Sequence, residues 1–215
     1  MKLYYSPFAC SLADHIALLE TGVPFEREGV NLKTKRTASG ADFNDVTPKG
    51  YVPALVLDSG EILTENIAIL DWLAMEYPAL AVPGSLGRTR VLEALAFIST
   101  EVHRSFKPMW HGGTEAQKAQ ARATISRLLD NLADGIVTDY LFGAAPSVAD
   151  FYLFVMLLWA ERFDVRIPES FVALRHRMAS RPAVQAAMRQ EGLISLIDNE
   201  RVSSIREERN HVHAG

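Results

Sequence analysis

The 215-residue chain has a single cysteine, Cys10, in a setting that favours thiol chemistry. Lys2-Leu3-Tyr4-Tyr5 has the make-up of a short strand closed by Ser6-Pro7. Cys10-Ser11-Leu12-Ala13-Asp14-His15 then opens a helical pattern. Free backbone N–H groups and the positive end of a helix dipole favour a thiolate at such a place. An ordinary thiol has a pKa of about 8.5, and lowering it by about two units takes ~2.7 kcal/mol. A helix terminus supplies ~0.3–1 kcal/mol. A hydroxyl such as Ser11, or a cation from elsewhere, has to add the rest. The alternative is that Cys10 is a small buried hydrophobe.

Three further groups carry chemistry. Val52-Pro53 follows a Gly-containing turn and enters a strand. A cis bond there turns the backbone N–H and C=O of Val52 outward, where they can pair with a bound peptide; a trans Pro merely starts the strand. Thr64-Glu65-Asn66 opens a helix. Its free amides can hold a carboxylate while Glu65 takes an ammonium group, which suits an α-amino acid head; the alternative is an ordinary capped start. Ser99, His103, Phe106 and Trp110 fall at steps of four, three and four, one face of a helix if it persists to Trp110. That stripe is either a pocket wall or a surface-to-core transition. Ser147-x-x-Asp150 is read as a capping box with a structural role. His211 and His213 are too few for a metal site.

The elements that must hold these groups alternate in the first part of the chain. A strand at Leu3–Tyr5 leads to a helix from Leu12 to Thr21-Gly22, then to a strand from Phe25 to Val30. Lys33 to Asp45 reads as a loop with a short helix. Ala54–Leu57 and Glu61–Leu63 form a hairpin about Asp58-Ser59-Gly60, and a helix from Thr64 ends before Tyr77-Pro78. This order predicts an α/β thioredoxin-like N-terminal domain over residues 1–78. Residues 79–87 read as a linker. Residues 88–198 read as an all-α C-terminal domain, with helices at Arg88–Phe106, Thr114–Val137, Phe151–Arg162, Phe171–Ser180 and Pro182–Gln190. Residues 199–215 are polar without an apolar period and read as a flexible tail.

Composition narrows the classes. The chain is 48% hydrophobic with net charge −4, which points away from nucleic acid and from anionic membranes. The longest apolar run, Phe151 to Ala160, is too short to span a bilayer. One cysteine excludes an internal disulfide and a multi-cysteine metal site. The N-terminus has no secretion-signal pattern, and a cytoplasmic protein is expected.

Taken together the motifs resemble those of the cytosolic-type glutathione S-transferases, most similar to the bacterial beta class. They are Met1-Lys2-Leu3-Tyr4-Tyr5, Ala9-Cys10-Ser11-Leu12-Ala13, Asn44-x-x-x-Pro48-Lys49-Gly50-x-Val52-Pro53-Ala54-Leu55, Leu63-Thr64-Glu65-Asn66-x-Ala68-Ile69, Thr100-Glu101-Val102-His103 and Ser147-Val148-Ala149-Asp150-x-Tyr152. The likeness runs to about residue 193. It implies a homodimeric detoxifying transferase that joins glutathione to small hydrophobic electrophiles without a metal. It implies a cis Val52-Pro53 bond and a glutathione site made of Cys10, Lys35, Val52, Pro53, Glu65, Asn66, Thr100 and His103. Cys10, Ser11 and His103 would be the catalytic groups beside the glutathione sulfur, and Phe8, Phe106 and Trp110 would line the electrophile pocket. Two other functions suit the same resemblance. One is glutathione-dependent thiol-disulfide exchange with Cys10 as nucleophile, and the other a non-enzymatic ligand- or partner-binding protein. Phe8, Ala96 and Arg104 depart from the relatives' usual Gly, Asn and Lys.

Overall fold

A computed structural model describes residues 1–193 of the chain. The expected tail at 199–215, and the end of the helical part beyond 193, lie outside the described residues. Strand β1 (Lys2–Tyr5) is followed by α1 (Leu12–Thr21), β2 (Glu26–Asn31), β3 (Arg36–Thr37), β4 (Ala54–Val56), β5 (Ile62–Thr64) and α2 (Asn66–Glu76). The sheet order is β3-β2-β1-β4-β5. β1 and β2 run parallel, as a strand–helix–strand crossover requires, and the other pairs are antiparallel. This is the thioredoxin-like arrangement the element order predicts.

Strand β3 was not anticipated. Two residues cannot show a period, and Lys35 before them has a left-handed φ of 56°. The region read as loop and short helix therefore holds a strand and a 3₁₀ turn at Phe43–Asp45. The second helix begins at Asn66 rather than Thr64, because Thr64 ends β5 and Glu65 adopts φ 73° and ψ 120°, outside the helical region.

The helical half comprises α3 (Gly87–Phe97), a π-helical turn over Ile98–His103, α4 (Lys107–Trp110), α5 (Glu115–Ala133), α6 (Val148–Arg162), α7 (Glu169–Ala179) and α8 (Pro182–Gln190). The expected single helix from Arg88 to Phe106 is thus interrupted. A π turn closes i→i+5 hydrogen bonds and takes in an extra residue, which rotates everything after it. Pro108 sits in the first turn of α4, where its missing N–H costs nothing.

Helix α6 is buried along nearly its whole length, so its continuous apolar run packs on every side. Its start is fixed by Asp150, one carboxylate oxygen of which accepts from the backbone N–H and hydroxyl of Ser147 at 2.8 Å each. The other accepts from the Leu141 N–H at 2.8 Å. α1 lies between the sheet and the second half, against α2, α6 and α8, and one apolar core runs through both halves. Arg181 before α8 holds Glu20 of α1 through Nε and Nη2 at 2.6 and 2.9 Å. Among the described residues no helix is long and apolar enough to cross a membrane.

Candidate functional site

Cys10 precedes the N-cap Ser11 of α1 and is half-buried. Its thiol lies 3.9 Å from the carbonyl oxygen of Val52, and the Val52-Pro53 bond is cis. The Asn66 amide donates to the Cys10 carbonyl at 2.8 Å. One strand–helix turn, the entry to β4 and the start of α2 thus meet at a single thiol.

The electrostatics differ from the expectation of a thiolate. Burial is the larger cause that pushes the Cys10 thiol up, and the carboxyl of Asp14 adds to it; together they bring it to about 12. The backbone amides of Cys10 and Ser11 and the Asn66 side chain work in the other direction but do not offset burial. Cys10 is therefore a protonated thiol at neutral pH, a weak hydrogen-bond donor. Asp14 lies one turn along, fully buried, with no hydrogen bond to either carboxylate oxygen among the described residues. Burial first, and the Glu191 charge last, push its carboxyl well above the ordinary range.

Ser11 is fully buried, its hydroxyl bound to the N–H and carbonyl of Ser6 at 3.2 and 3.4 Å, and it shapes the loop before Cys10.

Phe8 has φ 63°, a left-handed conformation that suits glycine better than a residue with a side chain. The second half clamps it. Its N–H donates to Glu191 Oε2 at 3.2 Å, and its carbonyl accepts from Trp159 Nε1 at 2.9 Å. Glu191 in turn holds His15 Nδ1 at 2.9 Å. The Phe8 ring meets the edge of Trp110 at 6.0 Å, and Trp110 packs on Trp159 at 5.0 Å. Trp110 is 40% exposed, whereas Phe106 is 0% exposed and packs on Trp159. Phe106 therefore belongs to the core and not to an open wall, although it shares with His103 and Trp110 the face that packs on Trp159.

His103 sits at the end of the π turn, its Nδ1 2.6 Å from the Tyr152 hydroxyl and its ring edge-on to Trp159 at 4.9 Å. Burial lowers its pKa to about 4, so the imidazole is neutral at physiological pH. Thr100 is exposed and bonds Glu101 at 3.2 Å. It lines a groove of about 770 Å³ with Glu101, Arg104 and α5, whose walls include none of Cys10, Val52 or Glu65.

Glu65 is held by Lys49, whose Nζ lies 2.6 Å from Oε1 and 2.9 Å from Thr64 Oγ1. A cation thus already stands against the carboxylate expected to take an ammonium group. Lys35 donates to the Gly50 carbonyl at 2.7 Å and lies 4.9 Å above the Tyr51 ring. Gly50 (φ 63°) is needed there, since an added Cβ would stand 3.0 Å from Asn44 Oδ1.

The structure brings together Cys10, Val52, Pro53 and Asn66. Phe8, Trp110, His103 and the buried Phe106 join through Trp159 and Tyr152, while Ser11 and Thr100 stand apart. Sequence reasoning missed Asp14, Lys49, Tyr152, Trp159 and Glu191. Only Asp14 had a local signal, its four-residue spacing from Cys10.

Comparison with known proteins agrees with this geometry. Residues 6–76 match the family model for the N-terminal domain of glutathione S-transferases, and residues 112–189 match that for the C-terminal domain. The glutathione S-transferase GstA of Escherichia coli O157:H7 is 40% identical over 200 residues, 90% of this chain and all of the relative. A sphingomonad glutathione S-transferase solved with glutathione superposes with a TM-score of 0.83 at 44% identity, over 90% of this chain and all of that one. The beta-class enzyme of Sphingomonas chungbukensis does so with a TM-score of 0.80 at 43% identity, with the same coverage. On both the shared fold and the extent of identity, the chain belongs to the glutathione S-transferase family.

Proposed function

We propose that this chain joins glutathione to small hydrophobic electrophiles, as a cytoplasmic homodimer with a detoxifying role and no metal. The observation that carries the reading is the contact of a protonated Cys10 thiol with the Val52 carbonyl, beside the start of α2. The sphingomonad relative bound to glutathione supports the choice of thiol substrate. In this reading the cysteinyl backbone of glutathione pairs with Val52 next to Pro53. Glu65 takes the γ-glutamyl ammonium group in place of Lys49, the amide end of α2 at Asn66 takes its carboxylate, and Lys35 takes the glycine carboxylate. The glutathione thiol gives its proton to solvent, its sulfur bonds to the electrophilic carbon, and the bond from that carbon to the leaving group breaks with its electron pair, releasing chloride in the case of 1-chloro-2,4-dinitrobenzene. Cys10 and the neutral His103 stabilise the developing thiolate by donating hydrogen bonds to it. Phe8 and Trp110 form the wall for the electrophile. Thr100 and Ser11 take no part.

A thiol held protonated favours conjugation over disulfide exchange by Cys10, since exchange needs the thiolate. The test is turnover of 1-chloro-2,4-dinitrobenzene with glutathione by wild type and Cys10→Ala. Both should conjugate, with saturation in glutathione. Loss of glutathione binding and conjugation together in Cys10→Ala would refute this division of labour. Absence of saturable turnover in the wild type would favour a binding protein.

A further inference from the structure

Tyr152 is 1% exposed and carries a buried hydroxyl that the conjugation reading leaves unused. Its oxygen lies 2.6 Å from Nδ1 of His103, with the two rings at 88°, so the imidazole nitrogen meets it edge-on. Ser99, four residues before His103, acts on the phenol in the opposite direction to burial. Burial keeps the phenol protonated, and Cys10 and Asp14, the titratable groups acting on it, push the same way. The phenol keeps its proton, and Nδ1 at 2.6 Å is an acceptor within its reach. A neutral imidazole has one N–H and one bare nitrogen, so an Nδ1 that accepts leaves the proton on Nε2. Trp159 against the ring keeps it from turning over.

We propose that Tyr152 is a positioning residue that locks His103 in the Nε2–H tautomer, so that Nε2 offers a proton donor to the sulfur of bound glutathione. The sulfur-facing part of this role rests on the conjugation reading; the tautomer does not. A histidine left to choose would present a bare nitrogen to the thiolate part of the time, which repels it. A fixed tautomer makes the donor permanent.

The experiment compares wild type, Tyr152→Phe, His103→Gln and the double variant, each checked for an unchanged unfolding midpoint. Long-range ¹⁵N–¹H spectra of histidine-labelled protein, with His103→Gln identifying the signal, should show Nε2–H in the wild type and a shift towards Nδ1–H in Tyr152→Phe. Bound-glutathione thiolate, read by its ultraviolet absorbance, should titrate at higher pH in Tyr152→Phe. kcat should fall about fivefold, the worth of one hydrogen bond of about 1 kcal/mol, with little change in the KM for glutathione. In the His103→Gln background, Tyr152→Phe should add nothing, which a merely structural role would not produce. An Nδ1–H tautomer in the wild type overturns the proposal, as does an unchanged thiolate midpoint in Tyr152→Phe. A wild type that binds no glutathione overturns the conjugation reading and the sulfur-facing role with it, while the tautomer spectra still report on the Tyr152–His103 pair.

Discussion

Cys10 should be slow to react, against what its place before a helix suggests. With the thiol near 12, the thiolate fraction at pH 7.5 is about 3 × 10⁻⁵, against ~10% for an ordinary thiol of pKa about 8.5. That alone is a deficit of roughly 3,000-fold. A more basic thiolate is a better nucleophile, with a Brønsted slope of about 0.4–0.5, and over ~3.5 pH units this returns about 40-fold. The net expectation is exchange with an aromatic disulfide some 10²-fold slower than that of a free cysteine at the same pH. Since the chain has one cysteine, the released chromophore reports Cys10 alone. The rate should rise about tenfold per pH unit up to pH 10 without a plateau. Asp14→Asn removes the second cause of the shift and leaves the first, so the midpoint should fall but stay above the ordinary thiol value. A wild-type plateau with a midpoint below pH 8.5 would refute the protonated-thiol argument, and an unmoved midpoint in Asp14→Asn would remove Asp14 from it.

Four other outcomes follow from the same geometry. Lys49→Met should tighten glutathione binding up to about fivefold at low salt by isothermal titration, because an exposed ion pair worth ~0–1 kcal/mol no longer competes for Glu65; weaker binding would mean that Lys49 itself touches the ligand. Arg181→Ala should cost about 1–3 kcal/mol in denaturant midpoint, since it breaks a part-buried two-bond contact between α1 and α8. Asp150→Ala should cost about 2–4 kcal/mol, more than an exposed cap, because it strips partners from two backbone N–H groups at a buried helix start. Asp14 is raised in the folded state, so above an unfolded pKa of about 3.9 the unfolded chain holds fewer protons than the native one. Wild-type stability should therefore fall, relative to Asp14→Asn, by up to about 1.4 kcal/mol per pH unit as pH rises from about 5, and a flat difference would count against a buried neutral carboxyl.

What the sequence could convey here depended on how local each cause was. The order of strands and helices, the α1 stop at Gly22 and the Ser147–Asp150 pairing are set by neighbours in the chain, and all were legible. Strand β3 and the late start of α2 were not, because Lys35 and Glu65 adopt left-handed backbone conformations that their residue types do not announce. The stripe that begins at Ser99 was legible in part: His103, Phe106 and Trp110 do share a face, all three packing on Trp159, but the π turn before them and the full burial of Phe106 leave no mark in the spacing. Cys10 shows the limit most sharply. Its helix-terminus position was correct, but the terminus contributes less than 1–2 kcal/mol. Desolvation by burial, together with a carboxyl one turn away, outweighs it. Tyr152, Trp159 and Glu191 lie between about 50 and 180 residues from the groups they hold. No spacing rule reaches that far. The chemistry of this thiol is therefore set less by its place at a helix terminus than by its burial, by Asp14 and by the contacts through which the helical half fixes the neighbouring Phe8.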